Sequence, residues 1–211
     1  MPVTDKPNTT HLYQRDQYAK GGIGRYYWDF RDRAIFKCIS VVPQFILDAG
    51  CGEGITLEKL NRLFPNANIH GIDSLDENIA ICKEHGLFAS KGDLAHLEMP
   101  SEMFDCCILS EVIEHCENHR EILCELHRVL KPQGILIIVF PNDFIFKIAR
   151  LLTFKFKEAS YDPGHVKQWS LPEMKKALEM AGFDVKKLSS LPLPIWPLSL
   201  HGIAMAVRKA S

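Results

Sequence analysis

The sequence predicts an α/β protein with a doubly wound, mostly parallel sheet that ends in an antiparallel hairpin. Three observations carry that expectation. Strand-like and helix-like patterns alternate with short connections, as in a parallel sheet covered on both faces. A short apolar stretch, Gln44 to Leu47, runs through Asp48 and Ala49 into glycines at every second position, Gly50, Gly52 and Gly54. Near the C-terminus, Phe183 to Ser189 and His201 to Val207 read as two edge strands that pair antiparallel.

Each element follows from residue type and spacing. Gln44 to Leu47 reads as a buried strand, and the alternate glycines let the backbone turn tightly and approach a ligand with no Cβ in the way. A helix beginning near Gly54 (Ile55, Leu57, Leu60, Leu63) directs its N-terminal amides at that ligand. A dinucleotide fingerprint places its third glycine where this chain has Ile55, so the spacing disfavours a pyrophosphate. The next strand, Ala67 to Asp73, ends in a carboxylate about twenty residues beyond the loop, the distance at which such sheets place an acid on a ribose diol. Gly92-Asp93-Leu94 closes a third short strand, and Phe104 to Ser110 forms a fourth, followed by Glu111-Val112-Ile113-Glu114-His115. Ile135 to Phe140 is a further apolar strand, entered through Leu130-Lys131-Pro132-Gln133-Gly134.

From Ile35 to Arg208 this pattern resembles the class I S-adenosylmethionine-dependent methyltransferases, and among them the type 11-like group. The resemblance implies a seven-stranded Rossmann-like sheet with a helical cover, S-adenosylmethionine as cofactor and S-adenosylhomocysteine as product. It implies that Asp48, Gly50 and Gly52 lie at the methionine end of the cofactor. Asp73 would bind both ribose hydroxyls with Ser74 beside it, and Asp93 and Leu94 would lie at the adenine. Ser110 and Glu111 would lie beneath the sulfonium, and Asn142 near the substrate mouth. The family's helix-to-strand turn is usually Lys-Pro-Gly-Gly, and Gln133 departs from it in a way that reads as harmless. The N-terminal arm 1–32, the connection 143–169 and the hairpin loop 192–200 fall where the family keeps its substrate cover.

Composition narrows the function classes. A chain of 211 residues with 46% hydrophobic content can bury one full core, so residues 1–211 are expected to form a single domain. The net charge of -1 gives no basic footprint for a long nucleic acid. Met1 to Thr10 shows no targeting run and no stretch is long enough to cross a bilayer, which predicts a cytoplasmic protein. Seven scattered cysteines read as reduced thiols, with neither a disulfide framework nor zinc spacing.

The sharpest local constellation is Glu111-x-x-Glu114-His115 together with His165. If a helical turn begins here, residues three and four apart share a face, and the two carboxylates and the His115 imidazole converge. Ubiquinone-pathway O-methyltransferases and small-RNA terminal 2′-O-methyltransferases resemble this pattern, and in the RNA group the four positions hold magnesium. Magnesium rarely accepts imidazole, so a divalent metal stays possible but is not favoured, and the preferred set contains none. The favoured reading makes His115 the general base, oriented by Glu111 or Glu114, with His165 serving from the opposite side of the mouth. His70, His85, His96, His119, His127 and His201 show no comparable grouping and read as ordinary surface or strand-end residues.

Other residues divide between packing and function. Cys51 reads as packing within the loop. Tyr26-Tyr27-Trp28-Asp29-Phe30 either closes over the sulfonium or packs a leading helix on the sheet. Phe144 to Lys157 is basic and apolar, which suits a cover helix or contact with a membrane surface or lipid-like substrate. Leu191 to Leu198 reads as a proline-stiffened pocket wall or an association surface. The function expected is methyl transfer to an oxygen of a small apolar or aromatic acceptor. The alternatives are a metal-dependent RNA-terminal 2′-O-methyltransferase and a non-catalytic nucleotide-binding module.

Overall fold

The computed structural model describes residues 14–142 and 165–209. Seven strands, β1 Phe45–Ala49, β2 Asn68–Asp73, β3 Ala89–Lys91, β4 Phe104–Ser110, β5 Leu130–Pro141, β6 Phe183–Leu191 and β7 His201–Arg208, form one sheet in the order β3-β2-β1-β4-β5-β7-β6. The pairings from β3 through β5 are parallel, while β7 runs antiparallel to both β5 and β6. The order reverses between β1 and β4, and such a switch point opens a ligand crevice at the carboxyl ends of the strands. The expected fold class is therefore observed.

The alternation of side chains along each strand divides the core into two layers. On β1, Leu47 faces one layer and Ile46 the other; on β4, Cys107 and Leu109 oppose Cys106 and Ile108. Helices α2 Gly22–Phe36, α3 Ile55–Leu63 and α4 Asp76–Glu84 cover the second layer through Ile35, Leu57, Leu60 and Ile79. On the first layer, α5 His119–Val129 contributes Ile122, Leu123, Leu126 and Val129, one stripe at helical spacing. Helix α6, Leu171–Met180, adds Met174 and Leu178. It starts on a capping box in which Ser170 and Glu173 satisfy each other's backbone amides. A short N-terminal helix, α1 Gln14–Lys20, precedes α2.

Several boundaries differ from expectation for local reasons. Strand β1 continues to Ala49, because both neighbours pair it that far and carry Asp48 into the sheet interior. β3 ends at Lys91, so Gly92 to Leu94 follow the strand, held by the Gly92 amide on the Asp73 carbonyl at 3.0 Å. The aromatic run 26–30 is helical, and α2 buries Arg31, Asp32 and Ile35. All seven cysteines are free thiols. No described helix is long and apolar enough to cross a membrane. The 144–157 stretch lies outside the described residues, as do 1–13 of the N-terminal arm and most of 143–169.

Gln133 is not harmless. It is exposed and holds φ 64°, the left-handed region that the family's usual glycine occupies without strain. Gln133→Gly is expected to stabilise the fold by about 0.5–1 kcal/mol, raising the unfolding midpoint by about 2 °C in a calorimetric scan. An unchanged or lower midpoint would show that the turn carries no such strain.

Candidate active site

The carboxyl ends of β1, β2 and β4 converge on the glycine loop. Gly50 and Gly52 have φ values of 76° and 53°. A Cβ on Gly50 would collide with the Val112 side chain, and one on Gly52 would stand 2.9 Å from Gln14 Oε1. The amides of Gly50 and Cys51 both donate to the Ile72 carbonyl, at 2.7 and 2.9 Å, which fixes the loop against β2. Asp73 secures it from the other side. Its Oδ2 accepts the Gly52 amide at 2.9 Å, and its Oδ1 accepts the Leu75 amide and Asn78 Nδ2, both at 3.0 Å.

A carboxylate has about four lone-pair positions, so three amides leave Asp73 room for one further donor. A ribose bound here would share the Asp73 carboxylate with the amides that hold the loop. Asn78 offers another acceptor, because its buried Oδ1 has no hydrogen-bond partner. Ser74 is exposed beside Asp73. Asp93 is exposed and caps its own turn through the Ala95 amide at 2.9 Å, whereas Leu94 packs into the core.

Two further polar atoms lack partners where β1 and β4 end. Asp48 Oδ2 and Ser110 Oγ are both buried and unbonded. Burial first, then the charge of Asp32, pushes the Asp48 carboxyl up to about 7, with Arg31 opposing the rise. A ligand with a cationic amino-acid end would restore the ionised form of Asp48, and its hydroxyls would find Asp73 and Asn78. The donor and acceptor set, with the Cβ-free loop, therefore fits an adenosyl amino-acid cofactor.

Glu111 lies elsewhere than the spacing suggested. It follows β4 with φ 56°, ahead of the single turn Ile113–His115, so it shares no helical face with Glu114 and His115. Its Oε1 accepts from Arg31 at 2.7 Å and lies 2.8 Å from His201 Nε2. Burial alone would raise its pKa, but Arg31 and then His201 hold it well below the usual carboxylate range. Arg31 also grips Asp32 at 2.9 Å, and Asp32 and Asp29 share Lys59 at 2.5 and 2.8 Å. The Tyr27 hydroxyl bonds His201 Nδ1. Helix α2 is thereby fastened to β4, to α3 and to the start of β7. His201, read from sequence as ordinary, is 3% exposed and sits at the centre of this cluster.

The remaining three members do converge. The Ile113–His115 turn presents Glu114 and His115, and the segment after residue 164 returns beside it, the amides of Val166 and Lys167 donating to the Glu114 carbonyl at 2.9 and 3.1 Å. The His115 and His165 rings meet edge to face with centroids 4.7 Å apart. One ligand atom from each of Glu114, His115 and His165 lies within 4.8 Å of the others. Glu114 is buried, His165 half-buried and His115 exposed, so the group opens to the surface. Asn142 donates to the Trp196 carbonyl at 2.8 Å and so holds the 192–200 loop over the end of β5.

Comparison with known proteins decides the family. A methyltransferase-domain family model matches residues 47–138, from β1 into β5. A probable S-adenosylmethionine-dependent methyltransferase of Mycolicibacterium smegmatis is 26% identical over 76% of this chain and 60% of its own. The human mitochondrial ubiquinone biosynthesis O-methyltransferase is 34% identical over 67% of this chain and 42% of its own. The chain therefore carries a methyltransferase domain of the S-adenosylmethionine-dependent kind. A solved Thermotoga maritima structure, described as a possible histamine N-methyltransferase, superposes with a TM-score of 0.71 at 18% identity, covering 94% of this chain and 99% of that one. That likeness concerns the fold. The chain spans roughly 40–60% of the length of these two curated relatives.

Several residues of this methyltransferase site were not visible from sequence. Glu53 accepts the amides of Gln14 and Arg15 at 3.0 and 2.7 Å and so caps α1 over the glycine loop. That loop-to-arm contact spans 38 residues and leaves no local pattern. Asn78 had a weak signal, since an amide one turn into the helix after the strand-end acid can reach back to it.

Asp48 generates a pH-dependent expectation. Its folded pKa exceeds the unfolded value, so the folded state holds the extra proton and stability falls as pH rises from about 4 to about 7. Asp48→Asn removes that penalty. The gain in unfolding free energy should grow across that window to a few kcal/mol and level off above it, while cofactor affinity falls; denaturant titrations at three pH values measure it. A gain independent of pH would contradict a protonatable, buried Asp48.

Proposed function

We propose that the protein transfers a methyl group from S-adenosylmethionine to an oxygen of a small apolar or aromatic acceptor. The observation that carries this reading is the opening of the Glu114–His115–His165 group beside the end of β4, next to the loop that fits the cofactor. When bound, S-adenosylmethionine supplies a methyl group already activated by its sulfonium. The chain's own task is then to align the acceptor and remove its proton. His115, exposed at the mouth, is assigned the role of proton acceptor, with His165 edge-on beside it and the buried Glu114 carboxylate stabilising positive charge on the pair. The half-exposed Leu193, Ile195 and Leu198 of the hairpin loop supply apolar surface for the acceptor body. The relatives named as ubiquinone biosynthesis O-methyltransferases support oxygen as the acceptor atom.

A second reading is favoured by the same geometry. Two imidazoles and a carboxylate within 4.8 Å form a plausible cation set, and a metal there would be the base-free route to orienting a diol, as in an RNA-terminal 2′-O-methyltransferase. The diversion of Glu111 to Arg31 and His201 reduces the set to three, and two imidazoles suit zinc better than magnesium.

One experiment separates them. With alkyl-substituted catechols as acceptors, His115→Ala should lower turnover about a hundredfold while S-adenosylhomocysteine affinity holds, and chelator should leave the parent rate unchanged. Reversible loss of activity on chelation would establish the metal reading instead. Undiminished turnover in His115→Ala would remove the histidine from the chemistry.

A further inference from the structure

Helices α5 and α6 leave a groove of about 250 Å³ between them, lined by none of the residues of the glycine loop or the ends of β1 and β2. Its inner wall is apolar: Leu123, Ala177, Ala181 and the indole of Trp169. Its rim is cationic, with Arg120, Lys167 and Lys176 against the single acid Glu173. Glu173 is engaged already, because its carboxylate accepts from the Ser170 amide at 2.9 Å and the Ser170 hydroxyl at 2.5 Å. Lys167 lies over the Trp169 ring, 3.7 Å from its centroid. Among the described residues neither Arg120 nor Lys176 has an ion-pair partner, the α6 pair being Lys175–Glu179.

Two buried polar atoms of the lining are unsatisfied. Trp169 is 4% exposed, and among the described residues neither its Nε1 nor His119 Nδ1 beside it has a hydrogen-bond partner. The two rings meet edge to face at 5.1 Å. An indole N–H is only a donor, and leaving one buried without an acceptor is unfavourable. Both nitrogens are sealed from solvent, so Trp169 and His119 line the groove through their other atoms. The three rim cations favour an occupant with a negatively charged head, and the inner wall favours an apolar body. The volume falls below the roughly 300–1,000 Å³ of sites for drug-sized ligands, which points to a short chain or a single ring.

We propose that this groove is a second, separate binding site for a small amphipathic carboxylate. Its head meets Arg120 and Lys176, and its body lies on Leu123, Ala177 and Ala181 beside Trp169. The site is independent of the methyl-transfer reading, since none of these residues is assigned a role in it. It adjoins the mouth nevertheless, because Lys167 of the rim donates its amide to the Glu114 carbonyl.

The sequence contains three tryptophans, so a ¹⁵N-labelled protein shows three indole N–H signals, and Trp28→Phe and Trp196→Phe assign Trp169 by elimination. Octanoate, octanol and octyltrimethylammonium are titrated in turn. Octanoate should shift the Trp169 signal saturably and bind at least about tenfold more tightly than octanol, and the ammonium should not bind. Arg120→Ala with Lys176→Ala should weaken octanoate about tenfold at an unchanged unfolding temperature. A stationary Trp169 signal, equal affinity for octanoate and octanol, or full affinity in the double variant would overturn the proposal.

Discussion

The cofactor site depends on one carboxylate acting on its own chain before any ligand arrives. Asp73 ends β2 and accepts amides from the glycine loop, from its own turn and from the first helical turn beyond. Amide N–H groups aimed at a charge make the stronger class of hydrogen bond, and two backbone amides and one side-chain amide converge on this group. The consequence is geometric. The loop after β1 and the corner after β2 are locked to each other at the point where the strand order reverses, so the crevice is preformed and its remaining unsatisfied atoms, on Asp48, Asn78 and Ser110, are left for a ligand.

A second constraint joins the N-terminal arm to this platform. Arg31, 8% exposed, stands between Asp32 and Glu111, and the chain of contacts continues to Lys59 on one side and to His201 and Tyr27 on the other. Removing one member of such a buried set strands the opposite charge, at a cost of about 3–5 kcal/mol. This arrangement explains why Glu111 is withdrawn from the group at the mouth. It also explains the left-handed backbone at Glu111, where the chain turns from β4 so that the carboxylate meets Arg31. The arm is thus part of the folded site, and its contacts with Glu53 lay α1 across the glycine loop.

What the sequence disclosed was whatever a local pattern encodes. The continuous apolar run Cys106 to Leu109 located β4 to the residue, and the alternate glycines with Asp48 and Asp73 pointed to the crevice, because spacing along one βαβ unit translates directly into position. The convergence of Glu114, His115 and His165 was also anticipated, from a motif and one distant histidine. Glu111 was misplaced because a helical face was assumed where the backbone turns left-handed after one residue. His201 and Arg31 were missed because their partners are contributed by elements 90 and 80 residues away in the chain, a relation that only the closed sheet creates. Gln133 was misjudged because a backbone dihedral, and not the side chain, carries its cost.

The claim on which the rest turns is that Asp73 both fixes the loop and receives the cofactor. Calorimetric titration of S-adenosylhomocysteine into the parent and Asp73→Ala, each shown to be folded by its thermal transition, tests it most directly. The account predicts one site per chain in the parent and a loss of affinity of about tenfold or more in the variant, the equivalent of a single charge-assisted bond. Parent-like affinity in a folded Asp73→Ala would contradict it and move the cofactor away from the carboxyl ends of β1 and β2.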